Sequence, residues 1–139
     1  MTEQAQGARP ATPPVSDAGL IPHIGLEITE RGDGRSVGKL TIGPEHMNPH
    51  GVVHGAVAYA MVDTGMGAAV YTVMDEGESC ATVEVKIVYL APAREGPMEC
   101  ETRVVQKGKS VAVLEGEVRN GDRLVAKALG TYAIFPPRR

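Results

Sequence analysis

Met47-Asn48-Pro49-His50-Gly51-Val52-Val53-His54-Gly55 opens a segment that runs on through Ala56 to Asp63-Thr64-Gly65-Met66-Gly67, and its reading decides the fold. Asn-Pro and two glycines punctuate its start, so it begins as a loop. Val57, Ala58, Tyr59, Ala60, Met61 and Val62 include no breaker, so it continues as an apolar helix. Asp63 falls inside that apolar run. A carboxylate there is desolvated at a cost unless something interacts with it. The segment therefore offers a glycine-lined helix start and one acid expected to be buried a few turns later.

The helix is expected to run from His54 to about Met74. It is apolar nearly all round, and such a helix is buried on most sides. Gly65 and Gly67 each cost it about 1 kcal/mol relative to alanine. Close approach of another backbone is the expected reason. Asp75-Glu76-Gly77-Glu78 ends it, with Gly77 as the expected C-terminal cap residue.

Both flanks read as β-structure. Upstream, Ile24 to Glu30 reads as a first strand or a short helix-to-strand entry, and Arg31-Gly32-Asp33-Gly34-Arg35 as a turn. Ser36 to Ile42 alternates and reads as a strand that Gly43-Pro44 stops. Downstream, Ala81 to Leu90 alternates, with Val83, Val85, Ile87 and Tyr89 on one face. Met98 to Gln106, Ser110 to Arg119 and Arg123 to Phe135 follow as strands. Lys107-Gly108-Lys109 and Asn120-Gly121-Asp122 are the hairpin turns between them. Two strands, one helix and four further strands make an α+β chain. A run of hairpins gives an antiparallel sheet, and a helix apolar on all sides belongs inside the curve of that sheet.

The whole chain has 139 residues, which suits one domain with a sizeable core. Residues 1–18, rich in Gln, Ala, Thr and Pro, are expected to form a disordered leader. Residues 19–136 are the expected domain and residues 137–139 a tail. The net charge of -3 provides no broad basic field for nucleic acid or an anionic membrane. No apolar run approaches the roughly 20 residues a spanning helix needs. Cys80 and Cys100 lie far apart with no CxxC spacing, as expected of reduced thiols in a cytoplasmic protein.

The pattern Asn48, Gly51, His54, Gly55, then Asp63 eight residues on, resembles the hotdog-fold acyl-CoA thioesterases. The branch it is most similar to is the phenylacetate-pathway type. Val83 through Ala93 resembles that family's third strand and its break, and Lys107-Gly108-Lys109-Ser110 resembles the turn after the fourth. The resemblance covers about residues 20 to 135. One departure stands out: many members follow His-Gly with a second glycine, where this chain has Ala56.

Thioester hydrolysis requires stabilisation of charge developing on the carbonyl oxygen and delivery or activation of water. A helix N-terminus supplies unpaired N–H groups and the positive end of a dipole. The resemblance implies that the Gly55 N–H receives the thioester oxygen, that His54 orients it, and that Asn48 contacts the carbonyl or the water. It implies Asp63 as nucleophile or general base. Thr82 aligns with a residue that holds the attacking water in some relatives. Strict alternation, however, puts Thr82 on the face of Glu84 and Lys86. Gly51 and His50 are expected to border the substrate, and Arg94, Lys107 and Lys109 to meet the phosphates of coenzyme A. Coenzyme A belongs to the substrate, so no separate cofactor is implied.

Gly55 and Asp63 are separated by about 12 Å along a helix rising 1.5 Å per residue. One thioester cannot touch both in one chain. The resemblance implies a homodimer or homotetramer, with Gly55 of one subunit facing Asp63 of the other. His46, His50 and His54 recur every four residues, but Pro49 and Gly51 argue against the helix a metal stripe would need, so no metal is expected. His46 and His50 are expected to be loop residues near the pocket mouth. Two other functions fit such a chain: a hotdog dehydratase or hydratase acting on acyl thioesters, and a non-catalytic acyl-CoA binding protein.

Overall fold

A computed structural model of the chain describes residues 19–137. The leader expected over residues 1–18 and the last two residues of the tail lie outside the described residues. The elements are α1 (Leu20–His23), β1 (Glu27–Gly32), β2 (Arg35–Thr41), a 3-10 turn (Pro44–His46), α2 (Gly55–Tyr71), β3 (Ser79–Tyr89), β4 (Pro97–Lys107), β5 (Val111–Asn120) and β6 (Arg123–Phe135). The six strands form one antiparallel, curved sheet in the order β1-β2-β4-β5-β6-β3. Helix α2 touches every strand, which a flat sheet of this width would not allow. This is the hotdog fold: one long helix held in the hollow of a curved sheet.

The hollow is lined by aliphatic and thioether side chains. Met61, Val62, Met66 and Val70 of α2 are buried in one core with Leu40, Met98, Leu114 and Val118 of the sheet. Each such side chain contributes about 1.5–3 kcal/mol of hydrophobic stabilisation. Small residues make the room: a Cβ on Gly130 would stand 2.5 Å from Met66 Sδ. Ser36 and Thr102 are buried with their hydroxyls 2.8 Å apart, and Ser36 Oγ donates to the Gly65 carbonyl at 2.7 Å. Among the described residues no buried side-chain nitrogen or oxygen lacks a hydrogen-bond partner.

Several expectations are corrected. Helix α2 is not enclosed on all sides. Its buried positions face the sheet, while Ala56, Tyr59, Ala60, Asp63, Thr64, Gly67 and Tyr71 form an open stripe, exposed or half-exposed. Asp63 is on that stripe and is not buried within a single chain. The helix ends at Tyr71. Thr72 Oγ1 donates to Ala69 O at 2.7 Å, and Thr72 and Val73 make the shorter i→i−3 bonds of a tightening last turn. Gly77, at φ +88°, serves the following turn and does not cap α2. Gly65 does meet a close neighbour, but the neighbour is side chain, with a Cβ there 2.9 Å from Thr102 Cγ2. A Cβ on Gly67 would meet nothing nearer than 3.9 Å, so no close approach explains that glycine.

Strand β3 departs from strict alternation. It pairs with β6 through Thr82↔Tyr132 and then Glu84↔Thr131, so Val83 is an extra residue, a β-bulge. Val83 is accordingly 63% exposed and does not share a face with Val85 and Ile87, which pack against the core. Cys80 and Thr82 come round to the helix side, contrary to the parity counted along the sequence.

Candidate functional site

The loop before α2 is tied at several points. Asn48 Oδ1 accepts the N–H groups of His50 at 2.9 Å and Val52 at 3.3 Å, an Asx-type turn. Gly51 follows at φ +78°, a conformation that favours glycine, so its identity is explained by the turn. His46 is buried and structural rather than a loop residue at a pocket mouth. Its Nδ1 accepts the Gly43 N–H at 2.9 Å, and its Nε2 donates to Ile24 O at 2.7 Å. The loop closes back on itself through His54 N–H donating to His46 O at 2.7 Å. His50 is exposed on the loop. With both ring nitrogens of His46 committed, the three histidines have no common focus. Among the described residues no three His, Cys, Asp or Glu side chains converge as metal ligands.

His54 is the N-cap of α2: its Nδ1 accepts the Ala56 N–H at 2.9 Å. The Val57 N–H donates to His54 O at 2.9 Å. That accounts for the second and third amides of the helix. Among the described residues no acceptor engages the first, the N–H of Gly55. This amide stands at the positive end of the helix dipole, on a residue with no side chain of its own. On its other side the Gly55 carbonyl accepts the Tyr89 hydroxyl at 2.7 Å. His54 therefore acts as a cap, and its remaining nitrogen, Nε2, is the one that can meet a ligand.

Two turns along, the Asp63 carboxylate has company. Its Oδ1 accepts the Thr82 hydroxyl at 2.6 Å and the Tyr132 hydroxyl at 2.5 Å. Thr82 reaches it because it sits opposite Tyr132, and the bulge at Val83 only offsets its parity from that of the residues after it. Tyr132, on β6, is the residue opposite Thr82 in the ladder. Tyr132 was not legible as a site residue, because only the β3–β6 register brings it there. Burial, and then its bond to Asp63, holds the Tyr132 phenol well above the ordinary range, so it stays a protonated donor. Burial and the nearby Asp63 charge also raise the Cys80 thiol.

The cations do not gather in one chain. Val53 N–H donates to Ala93 O at 2.8 Å, which fixes Arg94 at the N-terminal end of α2. Lys107 and Lys109 flank the β4–β5 turn, where Lys107 pairs with Ala112 and Val111 with Ala133. That turn lies at the other end of the helix, about 25 Å away for 17 residues. A separate groove of about 510 Å³ runs on the outer face of the sheet, lined by Lys86, Glu101, Arg103, Glu115, Lys127 and Leu129 among others. It is remote from both Gly55 and Asp63.

Comparison with known proteins bears on this arrangement. The sequence pattern of the family described as "Thioesterase superfamily" matches residues 50–127. A Saccharolobus solfataricus protein provisionally named an esterase is 34% identical over 113 residues, covering 81% of this chain and 75% of its own. Among solved structures, the conserved protein PA5202 from Pseudomonas aeruginosa has a TM-score of 0.80 and 34% identity, covering 83% of this chain and 92% of that one. A mutant of the phenylacetic acid degradation protein PaaI from Thermus thermophilus has a TM-score of 0.76 at 24% identity, covering 81% and 96%. The last likeness shows the fold.

Proposed function

The chain belongs to the thioesterase superfamily and is a thioester hydrolase, and from that premise we propose that its substrate is an acyl- or aroyl-CoA, cleaved to the free acid and coenzyme A. The observation that carries the reading is the unengaged Gly55 amide at the start of the same helix whose open stripe presents Asp63. In this reading the thioester oxygen sits on the Gly55 N–H, assisted by the dipole of α2. Asp63 takes the proton of the attacking water, or attacks the carbonyl carbon itself to give, once the thiolate has left, a mixed anhydride that water then hydrolyses to the free acid. Collapse of the tetrahedral intermediate breaks the C–S bond, and the thiolate leaves as the thiol after taking up a proton. The amide group of Asn48 is free to donate, since its oxygen is used within the loop. The loop motif of Asn48, Gly51, His54, Gly55 and Asp63 supports the phenylacetate-pathway branch.

The geometry favours a site shared between two copies. The open stripe of α2 borders β3, an edge strand of 11 residues, near whose far end Val88, Tyr89 and Leu90 are also exposed. An unpaired edge beside an uncovered helix face is a template for a second copy. Two-fold pairing with antiparallel helices would set Gly55 of one chain toward Asp63 of the other. It would also bring the Lys107–Lys109 turn of one chain toward Arg94 of its partner.

The decisive experiment is a thiol-release screen over short, medium, long and aromatic acyl-CoAs, with Asp63→Asn and Asp63→Ala beside the wild type. Loss of about 10²–10⁴-fold in kcat is expected for both, the size of a general-base contribution. Full activity in Asp63→Asn would remove Asp63 from the reaction. Sedimentation should find dimers or tetramers, and dilution to monomers should abolish turnover.

A further inference from the structure

Asp63 has two carboxylate oxygens and they are treated unequally. Oδ1 accepts both Thr82 Oγ1 and Tyr132 Oη. Among the described residues no protein donor engages Oδ2. The Tyr132 hydroxyl also lies 2.6 Å from the main-chain oxygen of Asp63, so one phenol spans the backbone and the side chain of the same residue. Only a narrow range of Asp63 side-chain torsions satisfies both contacts at once.

The phenol itself is firmly held. Tyr132 is 2% exposed, lies on β6 between β5 and β3, and packs beside Gly67, one turn along α2 from Asp63. Thr82 approaches from β3, directly across the ladder. Two neighbouring strands thus deliver two hydroxyls to one oxygen of an otherwise half-exposed helix residue. A structural tether would need only one such bond. Two donors on Oδ1 leave Oδ2 as the one oxygen able to meet a water or a carbonyl carbon, and fix the direction in which it points.

We propose that Tyr132 is a positioning residue of the thioesterase site, orienting the Asp63 carboxylate so that Oδ2 alone faces the substrate. The inference rests on the proposed role of Asp63. Its test compares wild type, Tyr132→Phe and Thr82→Val with the acyl-CoA that wild type cleaves fastest. Tyr132→Phe keeps the buried ring and loses only the hydroxyl. It should lower kcat by about 10- to 100-fold, the scale of misplacing a reacting group by about 1 Å, and leave KM within about twofold. A purely structural tyrosine would lower the unfolding temperature without that split. Tyr132→Phe with kcat within about twofold of wild type would overturn the inference.

A second measurement needs neither turnover nor a folded Tyr132→Phe protein. In protein labelled with ¹³Cζ-tyrosine, Asp63→Asn should shift the Tyr132 resonance and let that phenol ionise at lower pH. A resonance and titration unmoved by Asp63→Asn would overturn the pairing. A wild type that releases no thiol from any acyl-CoA defeats the proposed function. An active wild type with an undiminished Tyr132→Phe defeats only this inference.

Discussion

The Tyr89 hydroxyl donates to the Gly55 carbonyl at 2.7 Å, and its ring fills the space a side chain at position 55 would need. A Cβ on Gly55 would lie 2.9 Å from Tyr89 Cζ and 3.0 Å from its hydroxyl oxygen. Tyr89 is 52% exposed, so its ring can swing outward and the cost is the bond rather than a rigid clash. Gly55→Ala and Tyr89→Phe should each destabilise by about 1 kcal/mol, the net worth of one hydrogen bond. Since both remove the same bond, the double variant should cost no more than either single one. Urea denaturation at fixed protein concentration measures this, and additive losses would refute it.

The two helix glycines should answer oppositely to alanine. At Gly65 a Cβ meets Thr102 Cγ2 at 2.9 Å and Ser36 Oγ at 3.2 Å, both on short, buried side chains. Overpacking there should cost about 1–3 kcal/mol, more than the roughly 1 kcal/mol that better helix propensity returns. Gly67→Ala meets only Tyr132 Cε2 at 3.9 Å and should stabilise the protomer by up to about 1 kcal/mol. Denaturant midpoints of the two variants should therefore fall on opposite sides of wild type.

Burial pushes the Cys100 thiol up to about 12, with the Glu101 charge adding to it. Its folded-state value is thus above that of an unfolded thiol, about 8.5. The folded protein keeps a proton that the unfolded chain sheds, so this contribution to stability is complete below about pH 8.5 and declines as pH rises toward about 12. Over that window wild type should lose stability more steeply than Cys100→Ala, as read from urea midpoints at successive pH values. In the folded state iodoacetamide should label the half-buried Cys80 before Cys100.

The sequence carried the order of elements because its signals are local. Asn120-Gly121-Asp122 brackets a turn with Gly121 at φ +63°, and β6 begins and ends where the apolar pattern does, at Arg123 and Phe135. The unbroken run from Val57 to Val62 announced α2 for the same reason. What escaped depends on relations between distant residues. Asp63 was expected to be buried because its neighbours are apolar, yet the helix face it occupies is the one the sheet leaves uncovered. His46 was read with the loop, although the Ile24 carbonyl, 22 residues away, holds its ring in the core. Tyr132 lies 69 residues from Asp63, and no periodicity connects them. Thr82 stood on the wrong side of a count that a single extra residue had shifted.

The bulge at Val83 has an implication for how such chains vary. Thr82 faces Asp63 because it sits opposite Tyr132, whatever number of residues intervenes before Glu84. Losing Val83 would make the ladder regular and still leave Thr82 across from its tyrosine. A homologue one residue shorter at this point can therefore keep the same chemistry. Equivalent hydroxyls should be traced by their cross-strand neighbours, since counting along the chain assigns them to the wrong side.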